Sequence, residues 1–167
     1  RFLEGLNMPE DVKKGTLEHI SQTDRVPPCA IAGNPCLHSK SPQIYTGMFE
    51  KYGIDSYYTF MEWHDIGQIV EMVKKAGMKG LSVTIPFKKE IIPHLDVISR
   101  HARMIGAVNT VLNSCGELHG TNTDWIGIRE PLKECGAEHG VVFGAGGAAR
   151  AAVYAMLDLG MDVTVLN

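Results

Sequence analysis

One stretch decides how the C-terminal part of the sequence folds: Val141-Val142-Phe143-Gly144-Ala145-Gly146-Gly147-Ala148-Ala149-Arg150. Its composition predicts a short apolar strand, a glycine-rich turn and an alanine-rich helix over 148–159. A further strand over 162–166 completes a β-α-β unit. The turn fits the pattern G-x-G-x-x-[GA] at positions 144, 146 and 149. Between a strand and a helix, this pattern favours a dinucleotide-binding turn over a merely tight connection.

The residues predicted to contact this cofactor lie in the turn and after the following strand. Glycines let the backbone approach a pyrophosphate, and a helix N-terminus offers free N–H groups and a positive dipole end. In NAD-binding proteins, an acidic residue about 20 positions further on binds the ribose 2′-hydroxyl. That position falls near Asn167, and because Asn is not acidic the sequence favours NADP over NAD. The predicted cofactor-binding residues are Gly144, Ala145, Gly146, Gly147, Ala148 and Asn167.

Strand and helix patterns also alternate from residue 29 to the glycine turn, which predicts an α/β protein with largely parallel sheets. Strands are expected over 29–32, 55–62, 81–85, 107–112 and 117–120, with a turn over 113–116 joining the last two. Helices are expected over 41–52, 66–76, 88–92, 96–105 and 124–135, with a kink at Pro131. Ser41 is predicted to cap the first helix, and Pro42 to occupy its first turn.

Composition excludes several classes of protein. The 167 residues carry 16 Lys and Arg against 19 Asp and Glu, and the resulting net charge of −3 leaves no basic footprint for nucleic acid. The sequence contains no run of about 20 apolar residues, so no membrane span is predicted. The four cysteines form no CxxC pair, and Cys29, Cys36 and His38 fit no zinc spacing, so we expect free thiols in a cytoplasmic protein.

Polar residues are concentrated where predicted strands end or helices begin, the places where α/β proteins build their sites. The four segments concerned are 33–42, 82–88, 106–110 and 122–124. Together with the glycine turn they resemble the shikimate dehydrogenase family. The matching blocks, in family order, are H-S-x-S-P at 38–42, S-V-T-x-P-[FH]-K at 82–88, G-A-V-N-T at 106–110, G-x-N-T-D at 120–124 and G-A-G-G-A-[AS]-R at 144–150.

The resemblance implies an oxidoreductase that uses NADP to reduce 3-dehydroshikimate reversibly to shikimate, in aromatic amino-acid biosynthesis. It also implies an α/β substrate domain with a mostly parallel sheet, followed by a Rossmann-type NADP-binding domain. The active site would lie in the cleft between the two domains. The partner would be a small-molecule substrate, and no metal is implied.

Four site residues carried over from the family would hold the substrate without taking part in proton transfer. Ser39 and Ser41 would bind its carboxylate, as two neutral donors near a helix N-terminus. Thr84 and Asn109 would hydrogen-bond the ring hydroxyls. From the residues alone, Ser41 is equally well a simple helix cap, and a buried Asn or Thr often only satisfies backbone groups.

Two carried-over residues would act on the reacting carbonyl. Lys88 would be the general acid/base, because a carbonyl oxygen that gains negative charge needs a proton. Asp124 would orient the lysine and bind a substrate hydroxyl. Burial would lower the pKa of Lys88 and the neighbouring carboxylate would raise it. A solvated lysine at a helix start is the alternative interpretation of Lys88.

The domain boundaries follow from the same blocks. We expect an N-terminal extension or linker over 1–24, a substrate domain over 25–123 and part of a dinucleotide-binding domain over 124–167. The family's cofactor domain continues for roughly a hundred further residues. We therefore expect the 167-residue chain to be incomplete and inactive alone, and the linker could follow another shikimate-pathway domain. Quinate as substrate, with or without NAD, and a non-catalytic binding module are the alternatives.

Overall fold

The computed structural model describes residues 29–167, and the linker predicted over 1–24 lies outside this range. Within it, strands and helices alternate as the sequence predicts. The strands are β1 (Cys29–Gly33), β2 (Tyr58–Glu62), β3 (Gly80–Val83), β4 (Val97–Ile98), β5 (Thr110–Ser114), β6 (Glu117–Thr121), β7 (His139–Phe143) and β8 (Asp162–Leu166). The α-helices are α1 (Ser41–Tyr52), α2 (Ile66–Ala76), α3 (Arg100–Ile105), α4 (Asp124–Leu132) and α5 (Gly147–Asp158).

Six strands form one sheet in the order β2-β1-β3-β5-β6-β4, and β7 and β8 form a second. Parallel pairing joins β2 to β1, β1 to β3, β4 to β6, and β7 to β8. The pairs β3–β5 and β5–β6 are antiparallel, because a two-residue turn at Cys115 and Gly116 allows only that pairing of β5 with β6. The mostly parallel α/β fold expected from the sequence is confirmed.

The main core lies between the larger sheet and α2. Apolar side chains of α2 at helical spacing, Ile66, Ile69, Val70 and Val73, are buried against one face of β1 and β3. Asp65 begins this helix by accepting hydrogen bonds from the amides of the residues at 67 and 68. The helix expected over 66–76 is therefore confirmed, and its apolar face anchors the parallel strands.

Two local predictions before residue 95 are wrong. Ser41 does not cap α1: Lys40 occupies the N-cap position without a side-chain hydrogen bond, and the Oγ of Ser39 accepts from the Ser41 amide at 3.2 Å. The helix expected over 88–92 is instead a series of turns that leads into a single 3₁₀ turn, Ile92–His94. Pro93 disfavours an α-helix there, and the carbonyl of Lys88 accepts from the Val108 amide instead of from a helical partner.

The helix expected over 96–105 is also only partly correct. Its first residues form β4, which pairs with β6. Ser99 then caps α3, since its Oγ accepts a hydrogen bond from the Ala102 amide at 3.2 Å. The serine inside the predicted helix is thus the signal that the helix begins later.

Gly33 lies where two loops approach each other closely. A methyl group on Gly33 would lie 2.3 Å from Cγ2 of Thr84 and 2.9 Å from Cβ of Cys36. The next amide, that of Asn34, donates to the carbonyl of Ile85 at 3.0 Å. The loop after β1 therefore packs directly on the segment after β3, and only a residue without a side chain fits between them.

We expect Gly33→Ala to lower the free energy of unfolding by about 1–3 kcal/mol, because the added methyl overpacks this contact. Gly47→Ala is the matched control, since Gly47 lies in α1 with none of the described atoms within 4 Å of an added methyl. It should raise the free energy by roughly 0.5–1 kcal/mol through helix propensity. Urea denaturation followed by circular dichroism measures both, and equal stabilities would contradict the packing described.

The four cysteines, all within residues 29–167, are free thiols. Cys36 is buried, and this burial, with a smaller contribution from the Glu62 carboxylate, raises the pKa of its thiol to about 12. Cys115 and Cys135 are exposed.

In the part of the chain that the structure describes, no cluster of His, Cys, Asp and Glu suits a metal ion, and no helix could cross a bilayer.

Thiol labelling at pH 8 should therefore separate these cysteines. Cys36, with a pKa of about 12, carries only about one part in 10⁴ of the reactive thiolate at that pH. We expect two thiols, Cys115 and Cys135, to react rapidly with Ellman's reagent, and Cys36 to react only after denaturation. Rapid labelling of Cys36, identified by mass spectrometry, would show that the loop after β1 opens.

Candidate functional site

The predicted substrate-site residues gather at one edge of the six-stranded sheet. Because β1 and β3 run parallel, their C-terminal ends share that edge. The pairings of Ser82 with Thr110 and of Thr110 with Thr121 place the start of β5 and the end of β6 beside them. The segments that leave or enter the strands at this edge carry Ser39, Ser41, Thr84, Lys88, Asn109 and Asp124.

Three of these residues are in direct contact. The Nζ of Lys88 donates to Oδ2 of Asp124 at 2.6 Å, and the Nδ2 of Asn109 donates to Oδ1 of the same carboxylate at 2.6 Å. The side chains of Lys88 and Asp124 are 17% and 25% exposed. Lys88 is therefore a paired, largely buried lysine and not a solvated lysine at the start of a helix.

The orientation of this network is fixed by the backbone around it. The Oδ1 of Asn109 accepts from the Thr123 amide and from the Thr110 hydroxyl, both at 2.9 Å, so its Nδ2 faces Asp124. The carbonyl of Lys88 accepts from the Val108 amide at 2.7 Å. The segment that enters β5 thus holds the base of the lysine and carries the asparagine, whose side chain is oriented by Thr110 and Thr123.

Asn122 supports the network, although the sequence analysis gave it no role. It is 2% exposed, its Nδ2 donates to the carbonyl of Ala107 at 3.0 Å, and its Oδ1 accepts from the Asp124 amide at 3.0 Å. The same oxygen accepts from the Trp125 amide at 3.4 Å. Asn122 therefore satisfies the first amides of α4, and its signal in the sequence was an Asn two positions before a helix start.

Ser39 and Ser41 form a second polar group at the same edge. Their hydroxyls are hydrogen-bonded to each other at 3.1 Å. Glu62, at the end of β2, holds this loop, because its Oε2 accepts from the amides of Cys36 at 2.5 Å and Leu37 at 3.0 Å. Glu62 is not among the predicted site residues, and its signal in the sequence is a carboxylate at the end of a strand.

The predicted cofactor-binding residues also share one sheet edge. Gly144 leaves β7 with φ of 99°, and its amide donates to the carbonyl of Leu166 at 2.7 Å. Because β7 and β8 are parallel, Asn167 follows β8 next to this turn. Gly146 is the N-cap of α5, and none of the described side chains caps that helix. The uncapped amides of Gly147 and Ala148 suit an anionic phosphate group.

The two sites meet at the start of α5. A methyl group on Gly147 would lie 2.8 Å from Cβ and 3.0 Å from Cδ of Lys88. Further along the same face of α5, Ala151 is buried with Ile105 of α3. Arg150 lies on this face too and reaches the end of α3. Its Nη1 would lie 3.2 Å from a methyl group placed on Gly106, the residue that follows α3. The packing of α5 on α3 thus holds the glycine turn beside the lysine.

Three aromatic rings complete this contact between the two sheets. The His101 ring of α3 stacks on Trp125 of α4 with 4.8 Å between centroids. Tyr154 of α5 lies edge-on to Trp125 at 5.3 Å, and its hydroxyl is hydrogen-bonded to Nδ1 of His101 at 2.9 Å. One ring from each of three helices therefore contributes to the cluster.

These features define an α/β protein in which a polar sheet edge is followed by the opening β-α-β unit of a dinucleotide-binding fold. Residues 31–111 match the family described as the shikimate dehydrogenase substrate binding domain. This match confirms the resemblance to that family inferred from the motifs.

Similar proteins extend the match over most of the chain. The chain is 38% identical over 152 residues to the NADP(+) shikimate dehydrogenase of Roseobacter denitrificans, covering 86% of this chain and 55% of that protein. It is 37% identical over 140 residues to the one from Pyrococcus abyssi, covering 82% of this chain and 53% of that protein. The chain therefore spans about half the length of the relatives it matches.

Solved structures agree with the fold. Shikimate dehydrogenase 1 from Peptoclostridium difficile superposes with a TM-score of 0.77 at 36% identity, covering 82% of this chain and 55% of that one. The Thermus thermophilus enzyme in complex with NADP(H) and shikimate gives 0.75 at 36%, covering 82% and 54%. A quinate dehydrogenase from Corynebacterium glutamicum in complex with NAD gives 0.75 at 27%, covering 82% and 53%.

We expect Asn122→Ala to lower the free energy of unfolding by about 1–3 kcal/mol, because it leaves the buried Ala107 carbonyl without its donor. Asn34→Ala, which removes a more exposed hydrogen bond to His64, is the control and should change stability by no more than about 0.5 kcal/mol. Chemical denaturation measures both. A stability loss for Asn122→Ala no larger than that of the control would contradict the supporting role.

Proposed function

We propose that this chain forms the substrate-binding part and the beginning of the cofactor-binding part of an NADP-dependent shikimate dehydrogenase. Residues 25–123 form the substrate domain and residues 124–167 open the dinucleotide-binding domain. The reaction is the reversible reduction of 3-dehydroshikimate to shikimate. The observation that carries the proposal is the Lys88–Asp124–Asn109 network directly beside the glycine turn.

Lys88 moves the proton in this reaction. Bound NADPH supplies the hydride that reduces the carbonyl carbon. As the carbonyl oxygen gains negative charge, Nζ of Lys88 donates a proton to it, and in the reverse direction the neutral amine takes that proton from the hydroxyl. Asp124 holds the ammonium group through Oδ2, and Asn109 holds Asp124 through Oδ1, so the acid is aimed before substrate arrives.

The remaining polar residues fit a small polyhydroxylated acid. The hydroxyls of Ser39 and Ser41 bond each other, and each can rotate its hydrogen towards a substrate carboxylate. Thr84 and Asn109 provide hydrogen-bonding groups for the ring hydroxyls. The segment that carries Thr84 packs against the loop that leads to Ser39. Neutral donors suit this purpose because they bind an anion without competing with Lys88 for Asp124.

NADP is the cofactor that the second site supports. The amides of Ala145, Gly146, Gly147 and Ala148 provide the backbone surface for the pyrophosphate, and Gly144, with its positive φ, shapes the turn. At the end of β8, Asn167 occupies the position where an acidic residue would bind the 2′-hydroxyl of NAD and repel a 2′-phosphate. The names of the similar proteins from Roseobacter denitrificans and Pyrococcus abyssi specify NADP(+) as well.

Quinate is the alternative substrate, because a quinate dehydrogenase shares the fold. Shikimate is favoured, since that protein is 27% identical to this chain while the shikimate dehydrogenases cited above are 36–38% identical. A non-catalytic binding module is the contrasting class. The pairing of Lys88 with Asp124 argues against it, since substrate binding alone does not require a largely buried lysine.

The cytoplasmic location and a link through residues 1–24 to another shikimate-pathway enzyme stay predictions. A structural relative from Clostridium acetobutylicum is a chorismate mutase/shikimate 5-dehydrogenase fusion protein, with a TM-score of 0.72 at 36% identity, covering 83% of this chain and 55% of that one. Fusion of this kind of domain to another enzyme therefore has a precedent.

The test uses the full-length natural protein that contains this sequence, assayed for NADP reduction with shikimate and with quinate. Lys88→Ala should lower kcat by about 10²–10⁴-fold, the usual contribution of a general acid/base. The dissociation constant for shikimate should change by no more than about threefold, because Lys88 acts mainly in the transition state. Lys89→Ala, at the exposed neighbouring lysine, is the control and should retain the parent rate.

Three outcomes would contradict the proposal in different ways. Turnover of quinate without turnover of shikimate would make the substrate assignment wrong. Binding of shikimate without oxidation of either acid, with NADP or NAD, would support the non-catalytic class. A parent-like kcat for Lys88→Ala would show that another group transfers the proton.

A further inference from the structure

We propose that Gly147 is a positioning residue for this reaction, because its lack of a side chain sets the spacing between the glycine turn and Lys88. The inference rests on the proposed function, in which the turn holds the cofactor and Lys88 transfers the proton. It assigns Gly147 a role separate from phosphate binding: contact with the stem of the lysine.

The contact leaves no room for a methyl group. A Cβ on Gly147 would lie 2.8 Å from Cβ, 3.0 Å from Cδ and 3.4 Å from Cγ of Lys88, whereas ordinary contacts begin at 3.4 Å. Three carbons of one lysine stem therefore lie along the backbone of the turn. The nearest of them is Cβ, which cannot move without the main chain.

Lys88 is fixed at both ends. Its carbonyl accepts from the Val108 amide at 2.7 Å, and its Nζ donates to Asp124 at 2.6 Å. A stem held at its base and at its tip cannot swing aside unless one of these bonds breaks. A methyl on Gly147 must therefore move the turn, or pull Lys88 away from Asp124.

The turn is also held in place by the rest of α5, which packs on α3. Ala151 is fully buried against α3, and the Tyr154 hydroxyl is hydrogen-bonded to His101 at 2.9 Å. These contacts lie one and two turns along the helix from Gly147 on the same face. A displacement of the turn therefore also disturbs the contact between the two sheets.

The spacing matters for the chemistry because hydride and proton reach the same carbonyl group. In the proposed function the turn holds the cofactor and Lys88 is the proton donor, so the separation of the turn from Lys88 governs how hydride and proton are aligned with the substrate. Moving the 2.8 Å contact out to the 3.4 Å at which ordinary contacts begin requires a shift of at least about 0.6 Å. A misplacement of about 1 Å lowers catalytic rates by up to about 100-fold.

Backbone conformation does not explain a glycine at 147. Gly147 is the first residue of α5 and is not among the positive-φ glycines, unlike Gly144. Alanine at a helical position ordinarily favours the helix. A loss of function on Gly147→Ala with the KM for NADP unchanged would therefore report the contact with Lys88, and neither a strained backbone nor a hindered pyrophosphate.

The first experiment compares Gly147→Ala with Gly127→Ala in the full-length natural protein. Gly127 lies in α4, and none of the described atoms lies within 4 Å of a methyl placed there. Gly147→Ala should lower kcat by about 10–100-fold, with KM for shikimate within about threefold of the parent value. Gly127→Ala should leave both unchanged. A parent-like kcat for Gly147→Ala in an active enzyme overturns the inference and leaves the proposed function intact.

The second experiment needs no catalysis, so it decides the contact even if the proposed function is wrong. Thermal unfolding is measured for the parent, Gly147→Ala, Lys88→Gly and the double variant. Gly147→Ala should lower the midpoint in the parent background, but not in the Lys88→Gly background, where the stem is absent. An equal loss in both backgrounds overturns the inference. If Gly147→Ala alone does not fold, recovery of folding in the double variant supports the inference and failure to recover overturns it.

Discussion

The ion pair between Lys88 and Asp124 is the interaction on which the rest of the site depends. It joins residues 36 positions apart in the sequence at 2.6 Å and is largely shielded from water. Lys88 follows β3 of the first sheet, and Asp124 begins the helix that leads to the second sheet. A partly buried pair of this kind is stable only when its remaining hydrogen-bonding capacity is also satisfied, which Asn109 does for the second carboxylate oxygen.

The antiparallel hairpin of β5 and β6 brings Asn109 to this ion pair. Parallel strands alone would bring only their C-terminal ends to the site edge. Because β5 runs in the opposite direction, its N-terminal side reaches that edge and brings Asn109 next to Asp124, which follows β6. The departure from an all-parallel sheet therefore places an amide and a carboxylate from neighbouring strands within one hydrogen bond.

Most of the fold and the candidate site could be predicted because their signals are local. Apolar periodicity identified α2, and strand–turn–helix context identified the glycine turn. Two of the errors share one physical cause: a polar side chain can bond more than one backbone group, so Ser41 resembled a cap that the structure does not use, and Ser99 was missed. The roles of Glu62 and Asn122, and the contact of Gly147 with Lys88, depend on packing between distant segments, which no local pattern contains.

The aromatic cluster at the junction of the two sheets gives the molecule an internal optical reporter. The sequence contains two tryptophans, and Trp125 is the one in contact with His101 of α3 and Tyr154 of α5. Its indole stacks on one ring and meets the other edge-on, so its emission depends on how α3, α4 and α5 are arranged. With Trp63 replaced, fluorescence from a single native residue would follow docking of the two sheets in real time, without an attached dye.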